Sequence, residues 1–209
     1  MSDTVKVLQF ICPTGFYGAE RWILTLAKNL DRQQVQCDLA VTVEPDLPEL
    51  EVEKQYKLLA GATHKLAMSG RFDLSVIRKL CQLIRREGDQ IIHTHGDKSD
   101  ILGLIAARLT GITALSTPHG FENADDWKLK AYIGVGNRFL RWFDGVAPLS
   151  EQLCKDMDTI GVRRSKVHYI QNGVDLDEVE RCRVDPATLP KSRKRIGFIG
   201  QMISRKNIF

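Results

Sequence analysis

The sequence predicts an α/β fold: a Rossmann-like parallel sheet with helices on both faces. Two observations carry this. Short apolar runs alternate with helical stretches along nearly the whole chain, the signature of a parallel sheet covered by crossover helices. The chain also opens with a βαβ unit whose first loop contains glycine. In such sheets ligands bind in the crevice beyond the carboxyl ends of the strands, so the strand-end loops are where functional residues are sought.

Val5–Ile11 (VKVLQFI) is mostly apolar and is closed by Cys12-Pro13-Thr14-Gly15, a strand central enough to be apolar on both faces. Gly15 and Gly18 flank Phe16-Tyr17. A helix follows, in which Trp22, Ile23, Leu26, Ala27 and Leu30 recur at helical spacing. Cys37–Val43 is the second strand, stopped at Glu44-Pro45. Asp46–Gly61 reads as a loop with a short helix, and Thr63–Met68 as a short third strand.

Asp73 is placed to cap a helix through Glu87, with Leu74, Ile77, Leu80, Cys81 and Ile84 on its apolar face. Arg85 and Arg86 suit its last turn, and Gly88 ends it. Gln90–Thr94 is the fourth strand and runs into His95-Gly96-Asp97. The helix at 98–109 is apolar on nearly all sides, as a helix between layers must be, and Gly111 caps it. The fifth strand starts at Thr113 and ends in Thr117-Pro118-His119-Gly120-Phe121, a turn that Pro118 and Gly120 make possible.

Asp125–Phe143 reads as a long helix weakened at Gly134 and Gly136. Gly145–Leu149 is the sixth strand, and Ser150 and Gly161 cap a helix at Glu151–Ile160. Val167–Ile170 is a seventh strand before an Asn172-Gly173 turn. Leu176–Lys194 is polar, is broken by Pro186 and Pro190, and reads as a linker. Arg195–Ile199 starts a new strand, and a lone strand is not a domain. The expected division is an N-terminal Rossmann-like domain at 1–175, a linker at 176–194 and the truncated start of a second domain at 195–209, within a longer protein.

At 43% hydrophobic and 27% charged, the 209 residues have an ordinary globular composition. The net charge of +4 is too mild and too scattered for a nucleic-acid partner. It suits an anionic small ligand or an anionic membrane surface. Five cysteines without a C-x-x-C pair read as reduced and mostly buried, none of them catalytic. Met1–Thr4 is too short for a signal peptide, and no apolar run nears about 18 residues. The expected address is the cytoplasm or the inner face of a membrane.

Several stretches carry chemistry. The loop Gly15–Glu20 leads into a helix N-terminus, where exposed N–H groups attract phosphate. The other reading is a tight turn that needs glycine. It is neither a P-loop nor a G-x-G-x-x-G fingerprint. His93-Thr94-His95-Gly96 puts two histidines on one side of a strand end. A metal pair is one reading; a hydrogen-bonded His93 and a crevice-lining His95 is the other. Asp156-Met157-Asp158 lies inside an amphipathic helix and reads as a solvated face. Trp127, Lys128, Lys130, Arg138, Arg141 and Trp142 make the helix at 127–142 basic and aromatic-edged, fit either to pack on the sheet or to dock on a membrane surface. No G-x-S-x-G elbow is present.

Taken together, these stretches resemble the GT-B glycosyltransferases of family four. Phe16-Tyr17-Gly18-Ala19-Glu20-Arg21 is similar to that family's Gly-Gly-Ala-Glu-Arg opening. Ile92–Gly96 and Thr117–Phe121 resemble its fourth and fifth strand ends. Ser150–Leu153 and Lys166–Asp175 resemble its closing segment, and Ile196–Ile208 the start of its second domain.

The resemblance implies two Rossmann-like domains facing a cleft, the first binding the acceptor and the second most of a nucleotide-sugar. It implies transfer with retention, and no metal or cofactor besides the nucleotide-sugar substrate. His119 would be the catalytic residue beside the transferred sugar; Gly15, Gly18 and Lys206 would meet the donor diphosphate; Tyr17, His95, Gly96, Gly120 and Phe121 would line the cleft and acceptor side. Two positions depart from the family: Tyr17 replaces the first glycine of Gly-Gly, and Gln201 replaces the arginine after the second-domain glycine. Breaking a glycosyl–phosphate bond leaves charge on the diphosphate, which positioned N–H groups and lysine stabilise in a closed cleft.

The expected activity is therefore a hexosyltransferase reaction in polysaccharide biosynthesis, onto a glycan, lipid or lipopolysaccharide-type acceptor. Residues 1–209 alone are expected to be folded but inactive. A nucleotide-sugar epimerase on the same architecture, or a nucleotide- or glycan-binding module, are the other two readings.

Overall fold

Side chains on a strand alternate between faces, so a strand apolar at successive positions must be covered on both. Val5–Ile11 (β1) meets that condition: Leu8 and Phe10 belong to one core layer and Ile11 to another. The structure, a computed structural model, describes residues 4–13, 15–44, 49–59, 61–70, 73–120 and 138–185. After β1 come α1 (Gly18–Asn29), β2 (Val35–Val43), α2 (Glu51–Lys57), β3 (Thr63–Ala67) and α3 (Ser75–Glu87). Then follow β4 (Ile91–His95), α4 (Asp97–Thr110), β5 (Thr113–Ser116), β6 (Gly145–Val146) and α5 (Glu151–Ile160).

All six strands are parallel, in the order β3-β2-β1-β4-β5-β6. On one face α3 and α4 cover Leu8, Phe10, Ala40, Ile92 and Ala114, joined by Met157 of α5. On the other, α1 and α2 cover Ile11, Leu39 and Val41 through Trp22, Ile23, Val52 and Tyr56. Gly88, Gly111 and Gly161 close their helices as the sequence predicts, and the Ser150 hydroxyl accepts the Leu153 N–H at 3.2 Å.

Four expectations need correction. The sixth strand is only two residues long, and 167–170 contributes a single bridge, Val146 to Val167. His168 and Ile170 do donate to the carbonyls of Val146 and Pro148, but Pro148 has no N–H to return, so the ladder does not propagate. Asp73 acts one residue ahead of the cap position, its carboxylate accepting the Ser75 N–H at 2.9 Å. The cysteines are free but not mostly buried: Cys81 is buried, Cys12, Cys37 and Cys154 are half-buried and Cys182 is exposed. Within the stretch read as a linker lies a short helix, α6 (Leu176–Arg181), whose N-terminus Asp175 caps by accepting the Glu178 N–H. At the end of the helix expected at 125–143, Leu140–Trp142 is a 3-10 turn; the part of that helix up to 137 lies outside the described residues, as does the strand at 195–199.

The chain divides into two compact units, Met1–Val174 and Asp175–Phe209. The described part of the second is α6 and its flanks. Among the described residues, no helix is long and apolar enough to cross a membrane.

Candidate functional site

Strand order reverses between β1 and β4, which lie side by side while their following helices leave to opposite faces. That divergence opens a crevice beyond their carboxyl ends. The β1–β4 register sets Gln9 beside His93 and Ile11 beside His95. Alternation then sends Gln9, His93 and His95 to the α1 side and Thr94 to the α4 side.

On the α1 side three histidines gather under one indole. Trp22 of α1 lies 5.8, 5.4 and 5.7 Å, centroid to centroid, from His93, His95 and His119. His93 Nε2 is 2.8 Å from the Thr117 hydroxyl. His95 Nδ1 is 3.2 Å from His119 Nε2, and His95 Nε2 is 2.5 Å from the Gln9 side-chain oxygen. Burial disfavours the imidazolium, lowering His93 to about 3 and His119 to about 4, and holding His95 well below its ordinary value. All three rings are neutral at pH 7.

On the α4 side, Asp100 receives hydroxyl hydrogen bonds from Thr94 and from Ser116, the latter at 2.9 Å. Desolvation raises its carboxyl to about 7 despite those donors. The Ser99 hydroxyl donates to the His95 carbonyl at 2.6 Å, tying the start of α4 to the end of β4.

The glycines at the rim do different jobs. Gly96 (φ 95°) and Gly120 (φ 125°) follow β4 and β5 in backbone conformations that side chains resist. They let the chain turn sharply behind His95 and His119. Gly18 instead starts α1 with open space at its Cβ position. Gly15 lies under the Tyr17 ring, whose atoms would stand 2.4 Å from an added Cβ. Tyr17 itself is half exposed, and its N–H donates to the Glu20 carboxylate at 2.8 Å, closing the first turn of α1.

The structure thus brings together His119, His95, Gly96, Gly120, Gly15, Tyr17 and Gly18 at one sheet edge. His95 differs from its expected place. It is 2% exposed and lies beneath His119 instead of lining the crevice, because the β5 turn folds over it. His119 above it is half-buried. Phe121 and Lys206 lie outside the described residues. Among the described residues no group of three or more His, Cys, Asp or Glu can hold a metal ion. Sequence reasoning passed over Gln9, Trp22, Thr117 and Asp100. Gln9 had a readable signal, a single amide inside an apolar strand; Trp22 looked like any core position of an amphipathic helix.

A second concavity, a groove of about 1000 Å³, lies where the strands begin. The end of α4 and the 3-10 turn before β6 supply Leu109, Phe139 and Trp142; Arg108, Arg141, Arg163 and Lys166 surround them. Arg108 pairs with Asp144 at 3.1 Å, and Lys166 donates to the Phe143 carbonyl at 2.6 Å. Among the described residues neither Arg141 nor Arg163 has a carboxylate within ion-pair distance.

The sequence model of the family described as Glycosyltransferase Family 4 matches residues 16–178. An Escherichia coli relative, UDP-Gal:alpha-D-GlcNAc-diphosphoundecaprenol alpha-1,3-galactosyltransferase, is 30% identical over 145 residues, 64% of this chain and 36% of the relative. Among solved structures, Anabaena HepE in complex with UDP superposes with a TM-score of 0.68 at 14% identity, over 88% of this chain and 47% of HepE. A Rickettsia africae glycosyltransferase gives 0.64 at 18% identity, over 88% and 47%. The lipopolysaccharide outer core galactosyltransferase WaaB gives 0.64 at 13%, over 82% and 47%. The structures establish the shared fold, and this chain spans about half of each.

Proposed function

Because the chain belongs to glycosyltransferase family 4, we propose that its strand-end crevice is the acceptor-side wall of a retaining sugar-transfer site. The donor is a nucleotide-sugar and the acceptor a glycan or glycolipid. One observation carries this reading: three loops, Gly15–Glu20, His95-Gly96 and the His119 turn, converge where strand order reverses. The N-terminus of α1 offers N–H groups and a favourable dipole to the donor diphosphate, and the open space at Gly18 lets a ligand approach its backbone. His119, neutral at pH 7, offers the transferred sugar one ring nitrogen for a hydrogen bond, the other being held against His95. Lys206 is assigned to the diphosphate, and no metal or cofactor is assigned.

The name of the E. coli relative specifies UDP-Gal and a lipid diphosphate-linked sugar, and HepE is solved with UDP. Those names support a uridine nucleotide-sugar as the first donor to try and a lipid-linked sugar as the first acceptor. With the chain spanning about half of its solved relatives, turnover is read as a property of the whole enzyme, and residues 1–209 alone are expected to be inactive. We assign the protein to the cytoplasm, at the inner membrane face. The surface offered to the membrane is the cationic groove that holds Arg141 and Trp142, the described end of the basic helix read at 127–142.

The test is transfer by the complete protein from a panel of nucleotide-sugars, with His119→Ala alongside. Transfer by the wild type and a loss of roughly 100-fold or more in the variant supports the reading. Unchanged rates remove His119 from the site, and an epimerised nucleotide-sugar without transfer replaces the reading with the epimerase.

A further inference from the structure

Gln9 is a primary amide in a central strand, 2% exposed and flanked by core residues. Burying an amide is costly unless its atoms are paired. Its oxygen lies 2.5 Å from His95 Nε2, and its nitrogen donates to Cys37 Sγ at 3.4 Å. A carbonyl oxygen only accepts. His95 must therefore carry its proton on Nε2. A neutral imidazole has one N–H, so His95 Nδ1 is a bare lone pair. The 3.2 Å contact with His119 Nε2 then requires the hydrogen to sit on His119. That in turn strips His119 Nδ1 of its proton. Reversing the amide would reverse each of these assignments and make His119 Nδ1 a donor.

We propose that Gln9 is a positioning residue acting through His95: its carbonyl oxygen fixes His119 as the Nε2–H tautomer, so that the ring meets a sugar hydroxyl with Nδ1 as the hydrogen-bond acceptor. The inference rests on reading the crevice as the sugar-transfer site. It also narrows that reading, since the hydroxyl facing His119 must donate. Burial supports it by keeping both rings singly protonated at pH 7.

Two readouts separate the relay from the site reading. The first is nitrogen NMR of the 15N-histidine-labelled protein at pH 7, which distinguishes a protonated from a bare ring nitrogen. Nε2–H on both His95 and His119 is expected; a proton on His119 Nδ1 overturns the proposal. Gln9→Leu should release His119 to a mixture of tautomers, while Gln9→Glu, which still accepts, should restore the single form. Gln9→Met, close in volume to glutamine, replaces the Leu variant if that one does not fold. A His119 tautomer unmoved by loss of the amide overturns the relay.

The second readout is transfer by the complete protein. In Gln9→Leu, kcat should fall roughly tenfold or more with little change in donor KM, recovered in part by Gln9→Glu. Loss of activity in His119→Ala with Gln9→Leu unaffected overturns the positioning role alone. His119→Ala without effect removes the site reading beneath it.

Discussion

The indole of Trp22 stands edge-on to the His119 imidazole, ring centroids 5.7 Å apart at 78°. It shields the cluster on the α1 side, and desolvation is what holds His119 at about 4. Trp22→Leu should let water in and return the His119 midpoint toward an ordinary histidine value. Trp22→Ala should also cost about 3–5 kcal/mol of stability. Titration of the His119 ring protons by NMR reads the first effect and denaturant unfolding the second. A midpoint still near 4 in Trp22→Leu rules the indole out as the shield.

Acid stability should reveal two opposed linkages. His93 and His119 titrate at about 3 and about 4 when folded, below their ordinary value. The unfolded chain therefore binds more protons between roughly pH 6.5 and 4, and the histidines make stability fall as pH drops through that window. Asp100 acts the other way. Its folded value of about 7 lies above its ordinary value, so the folded state holds the extra proton, and stability falls as pH rises from roughly 4 to 7. Asp100→Asn removes only this second linkage. Its unfolding midpoint relative to wild type should climb from pH 4 to pH 7 and level off above. A difference independent of pH would show that Asp100 is ionised throughout.

Gly96 and Gly120 should be less replaceable than glycines that only close helices. Gly96→Ala and Gly120→Ala should each cost about 1–3 kcal/mol and misplace the histidine just before them. Gly88→Ala, at φ 72°, should cost stability as well but leave transfer untouched. Thermal unfolding and transfer rates of the three variants check this, and normal transfer in the two rim variants would refute the positioning role of those turns.

Membrane contact through the groove predicts binding to vesicles containing anionic phospholipid and weak binding to neutral ones. Each basic side chain near such a surface contributes about 1 kcal/mol, roughly fivefold in affinity. Arg141→Ser/Arg163→Ser removes two such charges and should therefore bind roughly 25-fold more weakly in co-sedimentation, and Trp142, 56% exposed, should change its fluorescence on binding. Equal binding by the double variant would move the contact elsewhere.

The layers of the fold were legible because periodicity is a local property. Val5–Ile11 and Glu151–Ile160 begin and end where their residues say. The edge of the sheet was less so. Gly145–Leu149 has strand composition, but Pro148 cannot donate to a neighbour, and only Gly145–Val146 pairs. For the site, the loops were visible as Gly and His-Gly turns at strand ends. Their depth was not: nothing in the spacing of His95 and His119 says which ring covers the other. Gln9 and Asp100 escaped notice for a related reason. Each gains its role from residues on other elements, Gln9 from Cys37 and His95, Asp100 from Thr94 and Ser116.

The pairing of Gln9 with His93 and of Ile11 with His95 also has a consequence for how the protein folds. A slip of one residue between β1 and β4 would turn His93 and His95 into the α4 layer, away from Thr117 and Gln9, their native partners. The misaligned chain would bury unpaired polar atoms, whereas the native alignment satisfies them. The residues assigned to sugar transfer thus also help the sheet select its own register, and a variant that empties this cluster of polar groups should lose some of the penalty against misfolded pairings along with its chemistry.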